Sequence, residues 1–317
     1  MTKLLLTLAF ISVALSACQT MKSETVQYKS KYSVKGGFGV GDETLNMDFF
    51  TVTLSGKLWL PEGDGPFPVV FWGHPSTISE SRASWRNNLR SKLIENGIGI
   101  FFNNSIEGRG FGRKRPTDKY GHRLNSDSYH IDAVLALGAL AKHPKIDPKR
   151  IGISGESIGA NTAMWTQWED YMAQMQPDNL RFAAHVPISP PCDKIIKDYK
   201  STGAPMLVLT GEKDWNYASR CKDRVAERRE AGAKMDLVIY PDAYHCFIAS
   251  FPPKVIGGPV YGDCGTVTID KKRGVRWHNH TDQGYPYCIK FDGICGGNRA
   301  ATADALKRTV AFFSKHL

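Results

Sequence analysis

The residues whose types and spacing could do chemistry centre on Ser157. It lies in a Gly-Glu-Ser-Ile-Gly run over residues 155–159, directly after the apolar segment 150–155. A Gly-x-Ser-x-Gly pattern between a strand and a helix is typical of a sharp turn that lifts the serine hydroxyl above the sheet edge. The alternative is a turn that merely uses small residues. A serine hydroxyl is a weak nucleophile unless a base accepts its proton and an acid orients that base.

Two later residues have the types and the order that such a serine needs. Asp214 follows the predicted strand 205–210, and His245 follows the predicted strand 235–240. Each alone is ambiguous, because an aspartate after a strand is commonly a turn former and a lone histidine is commonly structural. The order Ser, Asp, His matches hydrolases that hold all three at strand ends on one sheet edge. We therefore predict Ser157 as nucleophile, His245 as base and Asp214 as orienting acid.

An attacked carbonyl also needs two backbone N–H groups that bind its developing negative oxygen. The residue after the nucleophile, Ile158, is one expected donor. The second is expected after the strand 68–73, and His74 is the candidate because Gly73 lets the backbone turn. Pro75 cannot donate, so this prediction depends on the register of the loop. Simple packing of His74 is the alternative.

Apolar periodicity predicts strands that alternate with helices around these residues. Strands are expected at 68–73, 98–102, 150–155, 182–188, 205–210 and 235–240, and helices at 79–96, 126–143, 158–174, 219–230 and 300–313. A hairpin is expected over 48–60. Such alternation favours an α/β fold with a mostly parallel central sheet and helices on both faces. The segment 247–299 lacks this rhythm, and we interpret it as a Cys-rich insertion before the last helix of a single domain over 46–317.

Composition places the chain among ordinary globular proteins. It has 317 residues, of which 42% are hydrophobic and 23% charged, enough to bury a full core. The net charge is +10, but the basic residues are mostly scattered among acidic ones. The aromatic-basic stripe that single-stranded nucleic acid needs is not visible. We expect a solvated basic surface and no nucleic-acid partner.

The first residues are typical of an export signal. Lys3 precedes an apolar run at 4–15 that is too short for an ordinary membrane span. Small residues before Cys18 resemble the lipobox of bacterial lipoproteins, in which this cysteine is lipidated, and Gln19 then implies retention at the outer membrane. A plain secretory signal is the alternative. We expect a signal peptide at 1–17, a tether at 18–45, and a location in the bacterial cell envelope facing the periplasm or the exterior.

An oxidising compartment changes how the cysteines are interpreted. Removing Cys18 leaves six of the seven, an even number that allows up to three disulfides. Zinc is the alternative, because His278 and His280 lie near the last three cysteines, but a Cys-x-x-Cys pattern is missing. We expect disulfides, no metal and no organic cofactor.

Five segments together resemble the dienelactone hydrolase family of α/β-hydrolases. They are residues 68–73, 104–110, 155–159, 209–214 and 240–247. The Tyr-Pro-x-x-x-His-x-Phe pattern in the last is the most specific. The resemblance implies the α/β-hydrolase fold and hydrolysis of a small-molecule or polymer ester by Ser157, Asp214 and His245. Dienelactone hydrolase itself uses a cysteine nucleophile, so the family's name does not give this chain's substrate.

Further expectations concern the loops at the same sheet edge. Neighbouring strand ends place Cys192 and Cys221 side by side, so we predict a disulfide between them. The other four cysteines are expected to staple the insertion, in a pairing that the sequence leaves open. These are Cys246, Cys264, Cys288 and Cys295. Because the insertion directly follows His245, we expect it to overhang the site and shape access.

Arg109 lies in a Gly- and Arg-rich loop, residues 107–115, after the strand 98–102. Its charge makes it a candidate contact for a carboxylate or phosphate group of the substrate. The favoured alternative is a solvated turn in which Arg109 is tied to a local carboxylate.

Three functions fit these residues. The first is a serine esterase of the cell envelope. The second is an amidase or peptidase on the same fold, because the leaving group is not encoded in the residues named above. The third is a non-catalytic envelope protein that binds through the insertion, against which the complete triad argues. The oligomeric state stays open.

Overall fold

The structure is a computed structural model that describes residues 22–32, 50–111, 124, 126–176, 178–216, 218–260, 266–270, 274–278 and 290–317. The described strands are β1 Ser23–Tyr32, β2 Phe50–Trp59, β3 Phe67–Gly73, β4 Gly99–Asn104, β5 Ile146–Glu156, β6 His185–Ile188, β7 Lys194–Ile196, β8 Met206–Lys213, β9 Met235–Tyr244, β10 Lys254–Val260, β11 Thr266–Asp270, β12 Gly274–His278 and β13 Lys290–Cys295. The described helices are α1 Ala83–Glu95, α2 Ser126–Leu140, α3 Ile158–Trp165, α4 Glu169–Met175, α5 Ala218–Glu230 and α6 Arg299–His316.

Eight of these strands form the central sheet, in the order β1-β2-β4-β3-β5-β6-β8-β9. β2 pairs antiparallel with β1 and β4, and the remaining neighbours pair in parallel. The parallel strands are continuous apolar runs because both of their faces are covered. The predicted α/β fold with a mostly parallel central sheet is therefore confirmed.

Alternate side chains of each strand enter two different cores. Val70 and Trp72 of β3 face the core made with α1 and α6. Val69 and Phe71 face the opposite core, made mainly with α2. The two-residue period of a strand produces this division. Because β5, β6, β8 and β9 pair in parallel, their carboxyl ends lie at one edge of the sheet.

The N-terminal segment differs from the expected tether. Residues 23–32 form β1, an edge strand that pairs with β2 along its whole length. Tyr28 and Ser30 point inward: the Tyr28 hydroxyl donates to Asn103 Oδ1 at 2.5 Å, and the Ser30 hydroxyl donates to Asp132 Oδ1 at 2.5 Å. Hydrogen bonds to these distant partners allow the polar segment 23–32 to form a strand with these two polar side chains buried. The expected signal peptide, residues 1–17, and Cys18 lie outside the described residues.

The hairpin predicted over 48–60 is wrong, because this segment is the single strand β2. Gly56 lies inside the strand rather than at a turn. A Cβ atom there would come within 2.2 Å of the Phe101 ring, so the glycine makes room for a buried aromatic side chain of β4.

The helix predicted over 158–174 is two helices, α3 and α4. α3 ends at Trp165. Trp168 then forms an isolated bridge with Ser201, and the Glu169 N–H donates to the Lys200 carbonyl at 2.8 Å. Pairing with a distant segment thus ends α3, which local periodicity does not reveal.

The described strands of the insertion lie in two small sheets. β10 and β13 form an antiparallel ribbon, and β11 pairs with β12 and, in parallel, with β7. Among the described residues, none of the helices is both long enough and apolar enough to span a membrane.

Two disulfides lie among the described residues. One joins Cys192 to Cys221, the pair expected from the sequence. The other joins Cys246 to Cys295 and so closes the described ends of the insertion. Cys264 and Cys288 lie outside the described residues.

Three buried histidines make stability depend on pH. Burial lowers the pKa of His74 and His185 to about 4 and that of His130 to about 3, from 6.5. The unfolded chain binds protons at these sites near pH 6.5 and the folded chain does not. The free energy of unfolding should therefore fall as pH drops from 6.5 toward 4, by at most about 1.4 kcal/mol per pH unit for each histidine.

Urea unfolding at a series of pH values measures this slope. His185→Gln is the matched variant, since its amide can replace the bond from the His185 ring to the Ala163 carbonyl, and it should show a smaller slope. A free energy of unfolding that is flat from pH 7 to 5, or a slope unchanged by His185→Gln, would contradict the assignment.

Candidate active site

Ser157 occupies a strained turn between β5 and α3. Its φ is 56° and its ψ −109°, a conformation that non-glycine residues rarely adopt. Its N–H donates to the Ile188 carbonyl at 3.0 Å, and its carbonyl accepts from the Asn161 N–H at 2.8 Å. The residue is thus tied to β6 on one side and to the first turn of α3 on the other, which fixes where the hydroxyl points.

Three glycines make this turn possible. A Cβ on Gly159 would lie 2.0 Å from the Gly73 carbonyl oxygen, and a Cβ on Gly155 would lie 2.6 Å from both the Gly73 oxygen and the Gly159 carbonyl carbon. Because these clashes are with backbone atoms, rotamer changes cannot relieve them. The glycines of the Gly-x-Ser-x-Gly pattern are therefore required where β3, β5 and α3 meet.

The structure brings Ser157, Asp214 and His245 together in one hydrogen-bonded chain. His245 Nε2 lies 3.0 Å from Ser157 Oγ. His245 Nδ1 lies 2.9 and 3.0 Å from the two carboxylate oxygens of Asp214. The histidine and the aspartate are each 2% exposed, while the serine is half-buried. A carboxylate can only accept from the ring, so Nδ1 carries the proton and Nε2 is left to accept from the serine hydroxyl.

The positions of the acid and the histidine follow from the ends of β8 and β9. Asp214 directly follows β8, its N–H donates to the Gly211 carbonyl at 3.2 Å, and its Oδ1 accepts from the Asn216 N–H at 2.9 Å. His245 directly follows β9 and forms a bridge with Cys295. The adjacent Cys246–Cys295 disulfide fixes the histidine loop to the end of the insertion.

The two expected amide donors lie near the same turn. Ile158 is the first residue of α3, where a backbone N–H has no partner within the helix. His74 follows Gly73, whose backbone packs directly against Gly159 of α3. The imidazole of His74 is buried and structural: Nδ1–H donates to the Pro75 carbonyl at 2.6 Å, and Nε2 accepts from the Ser105 N–H at 3.1 Å. These bonds fix one neutral tautomer and hold the loop after β3.

The prediction that Arg109 contacts a substrate carboxylate is wrong. Its guanidinium is buried and forms a bidentate ion pair with Asp132 of α2, with both N–O distances at 2.7 Å. It also donates to the Ser105 carbonyl at 2.7 Å. The loop is tied to a carboxylate, as the alternative held, but the pair is internal rather than solvated.

Two features of the site were missed in the sequence. Glu156, next to the serine, is fully buried and accepts from Arg82 Nε at 3.0 Å. Arg82 Nη2 in turn lies 3.8 Å from Cys295 Sγ, so an ion pair links the serine turn to the disulfide. Its partners are far apart in the chain, and the sequence carries no signal for them.

The second feature is Trp215, whose ring stacks on the His245 imidazole with centroids 4.0 Å apart. The β10–β13 ribbon covers the tryptophan. A Cβ on Gly258 or Gly293 would lie 2.6 or 2.5 Å from the Trp215 ring. In the sequence, the available signal was an aromatic residue directly after Asp214. The two glycines of the ribbon that pack against this residue could not be identified from the sequence. The described part of the insertion therefore reaches the site through Trp215.

Within the described ranges, no three His, Cys, Asp or Glu side chains lie close enough together to hold a metal ion.

Comparisons with known proteins identify the family and the fold. The sequence profile of the dienelactone hydrolase family matches residues 113–317. A Klebsiella pneumoniae protein described as a dienelactone hydrolase has 16% identity, a TM-score of 0.52, and coverage of 91% of this chain and 99% of its own.

A dienelactone hydrolase-like promiscuous phosphotriesterase from metagenomic libraries also has 16% identity, with a TM-score of 0.51 and coverage of 92% of this chain and 98% of its own. At this identity the structural likeness shows the fold alone. No curated protein matches the sequence. The family match covers more than half of the chain, and the protein belongs to the dienelactone hydrolase family.

Proposed function

We propose that the protein is a serine hydrolase of carboxylic esters. The observation that carries the proposal is the hydrogen-bonded chain from Asp214 through His245 to Ser157, with 2.9 and 3.0 Å links. Its half-buried serine sits beside two buried partners, which is the arrangement that turns a weak hydroxyl into a nucleophile. Membership in a family of hydrolases supports the same reading.

In this proposal His245 Nε2 takes the Ser157 proton while Oγ attacks the ester carbonyl. Asp214 accepts a hydrogen bond from Nδ1–H, stays unprotonated, and stabilises the charged imidazolium that forms. The backbone N–H groups of Ile158 and His74 bind the oxyanion of the tetrahedral intermediate. His245 then gives its proton to the leaving alcohol, and the C–O bond of the ester breaks to leave an acyl group on Oγ. His245 then deprotonates a water molecule, which attacks the acyl carbon. The bond from this carbon to Oγ breaks, the acid leaves, and His245 returns the proton to Oγ.

The nucleophile is tested with a fluorophosphonate probe and with aryl esters of graded chain length. We expect labelling of Ser157 in the folded protein, and Ser157→Ala should lower kcat by about 10⁴-fold or more. Ser154→Ala is the matched control, because Ser154 lies three residues before Ser157 and its buried hydroxyl donates to the Val186 carbonyl. Matched anilides decide between ester and amide preference. Hydrolysis that survives in Ser157→Ala, or absence of labelling in wild type, would refute the proposal.

Trp215 is expected to hold the His245 ring in its productive orientation. Trp215→Ala removes the stacked face, and we predict a decrease in kcat of roughly 10-fold on small esters, of the size expected when a catalytic group is misplaced. Trp215→Phe keeps a ring against the imidazole and should restore most of the rate.

Phe291→Ala is the control for this prediction, since Phe291 lies on the same ribbon and is 67% exposed. It should leave kcat unchanged. A wild-type rate in Trp215→Ala, measured on protein whose thermal stability is normal, would exclude the positioning role.

We propose further that the protein is exported and anchored by lipid on Cys18 at the outer membrane. Lys3, the apolar run 4–15 and the small residues before Cys18 support this. The two disulfides among the described residues fit an oxidising compartment.

Cell fractionation tests the anchor. The wild-type protein should partition with membranes and release into detergent, whereas Cys18→Ser should stay in the cytoplasmic membrane with its signal uncleaved or appear soluble. Identical detergent partitioning and identical mass for both proteins would contradict lipidation.

A further inference from the structure

A small cavity lies behind the serine turn, between α3, the segment after β6, and α5. Asn161 of α3 lines it one helical turn beyond Ser157, together with Cys192, Lys194, Arg224 and Arg228. Of the described residues that line the cavity, none carries a carboxylate. The charged residues of the lining, Lys194, Arg224 and Arg228, are therefore all basic, and the other lining residues are neutral.

Two arginines of α5 are almost completely buried at this cavity. Arg224 is 5% exposed and Arg228 is 6% exposed. Arg224 Nη2 pairs with Glu227 at 2.6 Å, but its Nε and Nη1 have no hydrogen-bond partner, and neither does Nη1 of Arg228, among the described residues. The Arg228 guanidinium lies over the Tyr199 ring at 4.6 Å. Burial lowers the pKa of Arg228, as expected for a charge that protein groups do not fully compensate.

Such an arrangement costs free energy unless a hydrogen-bond acceptor completes it, and an acceptor that is negatively charged also offsets the buried charge. Buried N–H groups without acceptors lose the hydrogen bonds that they make in water. A buried charge is costly unless it is paired. Lys194 adds positive charge to the same wall, although Asp193 pairs with it at 3.0 Å. Arg228 is therefore the charge at this wall that a small anion would compensate most.

We propose that this cavity is a binding site for one small monovalent anion, of halide or carboxylate size. Its volume of about 10 Å³ is close to the smallest space that holds one water molecule, so one halide ion or one oxygen atom of a carboxylate fills it. The free N–H groups of Arg224 and Arg228 are the donors.

The walls of the site are fixed before any ligand arrives. The Cys192–Cys221 disulfide joins the segment after β6 to α5. On the opposite side, the Asn161 amide is held by His130 Nε2 at 3.1 Å, and Asn161 Oδ1 has no partner among the described residues. A rigid, preformed site loses little entropy on binding.

The test is the thermal unfolding midpoint of the protein during titration with sodium chloride, bromide or formate. Wild type should show a saturable rise, of roughly 4 °C when the anion exceeds its Kd about 100-fold. Arg228→Met and Arg224→Met should lose the saturable part and keep the general salt effect. Arg229→Met is the matched control, because this neighbouring arginine is half-exposed and pairs with Asp236, and it should respond as wild type does.

Equal responses in all four proteins, or no saturable rise in wild type, would overturn the proposal. In buffer without small anions, Arg228→Met should be at least as stable as wild type, because it removes a charge that lacks its counter-ion. If this variant does not fold, Arg228→Lys gives the same comparison: a point charge without the guanidinium fork should bind at least about 10-fold more weakly. Unchanged affinity in Arg228→Lys would count against arginine donors.

A second arm identifies the source of the anion. Esters with a terminal carboxylate are compared with their neutral counterparts as chloride increases. A rise in KM for the charged esters alone, lost in Arg228→Met, assigns the site to a substrate carboxylate. No difference between the two series, together with the saturable rise in unfolding midpoint, assigns it to a free ion.

Discussion

The close backbone contact between Gly73, Gly155 and Gly159 is the constraint on which the rest of the site depends. Atoms of β3, β5 and α3 approach so closely that a single added Cβ would overlap the backbone. The chain can connect β5 to α3 under this constraint because Ser157 takes a positive φ. The strained turn then presents the hydroxyl to His245 and leaves the first N–H of α3 facing the same space. Geometry that looks local is thus set by the packing of three elements.

The histidine is held from several directions rather than by its acid alone. Asp214 fixes the ring from Nδ1, Trp215 covers one face, and the Cys246–Cys295 disulfide anchors the following residue. Two of these three constraints come from or through the insertion, since the β10–β13 ribbon covers Trp215. The segment that interrupts the regular strand and helix order is therefore a structural part of the site. Because the ribbon packs against Trp215, a substitution in the ribbon that moves Trp215 also moves the surface on which the His245 ring stacks.

The sequence predicted the central architecture and the three contacting side chains well, for a physical reason. Buried parallel strands are continuous apolar runs, and the residues directly after them must lie at one sheet edge, so Ser157, Asp214 and His245 could be placed together. Arg109 could not be placed, because its partner Asp132 lies on another helix. β1 was missed because its inward residues, such as Tyr28 and Ser30, are polar and are paired only by the folded chain. The hairpin over 48–60 was predicted wrongly, because Gly56 lies inside β2 to make room for the Phe101 ring of a neighbouring strand, and the sequence does not show that contact.

The central claim is that Ser157 is the nucleophile in a covalent mechanism, and rapid mixing with a chromogenic acetate ester tests it most directly. Our account predicts a stoichiometric burst of the alcohol product, followed by slower turnover, with the acetyl group found by mass spectrometry on Ser157. The absence of any acylated protein, or an acyl group on a different residue, would contradict it.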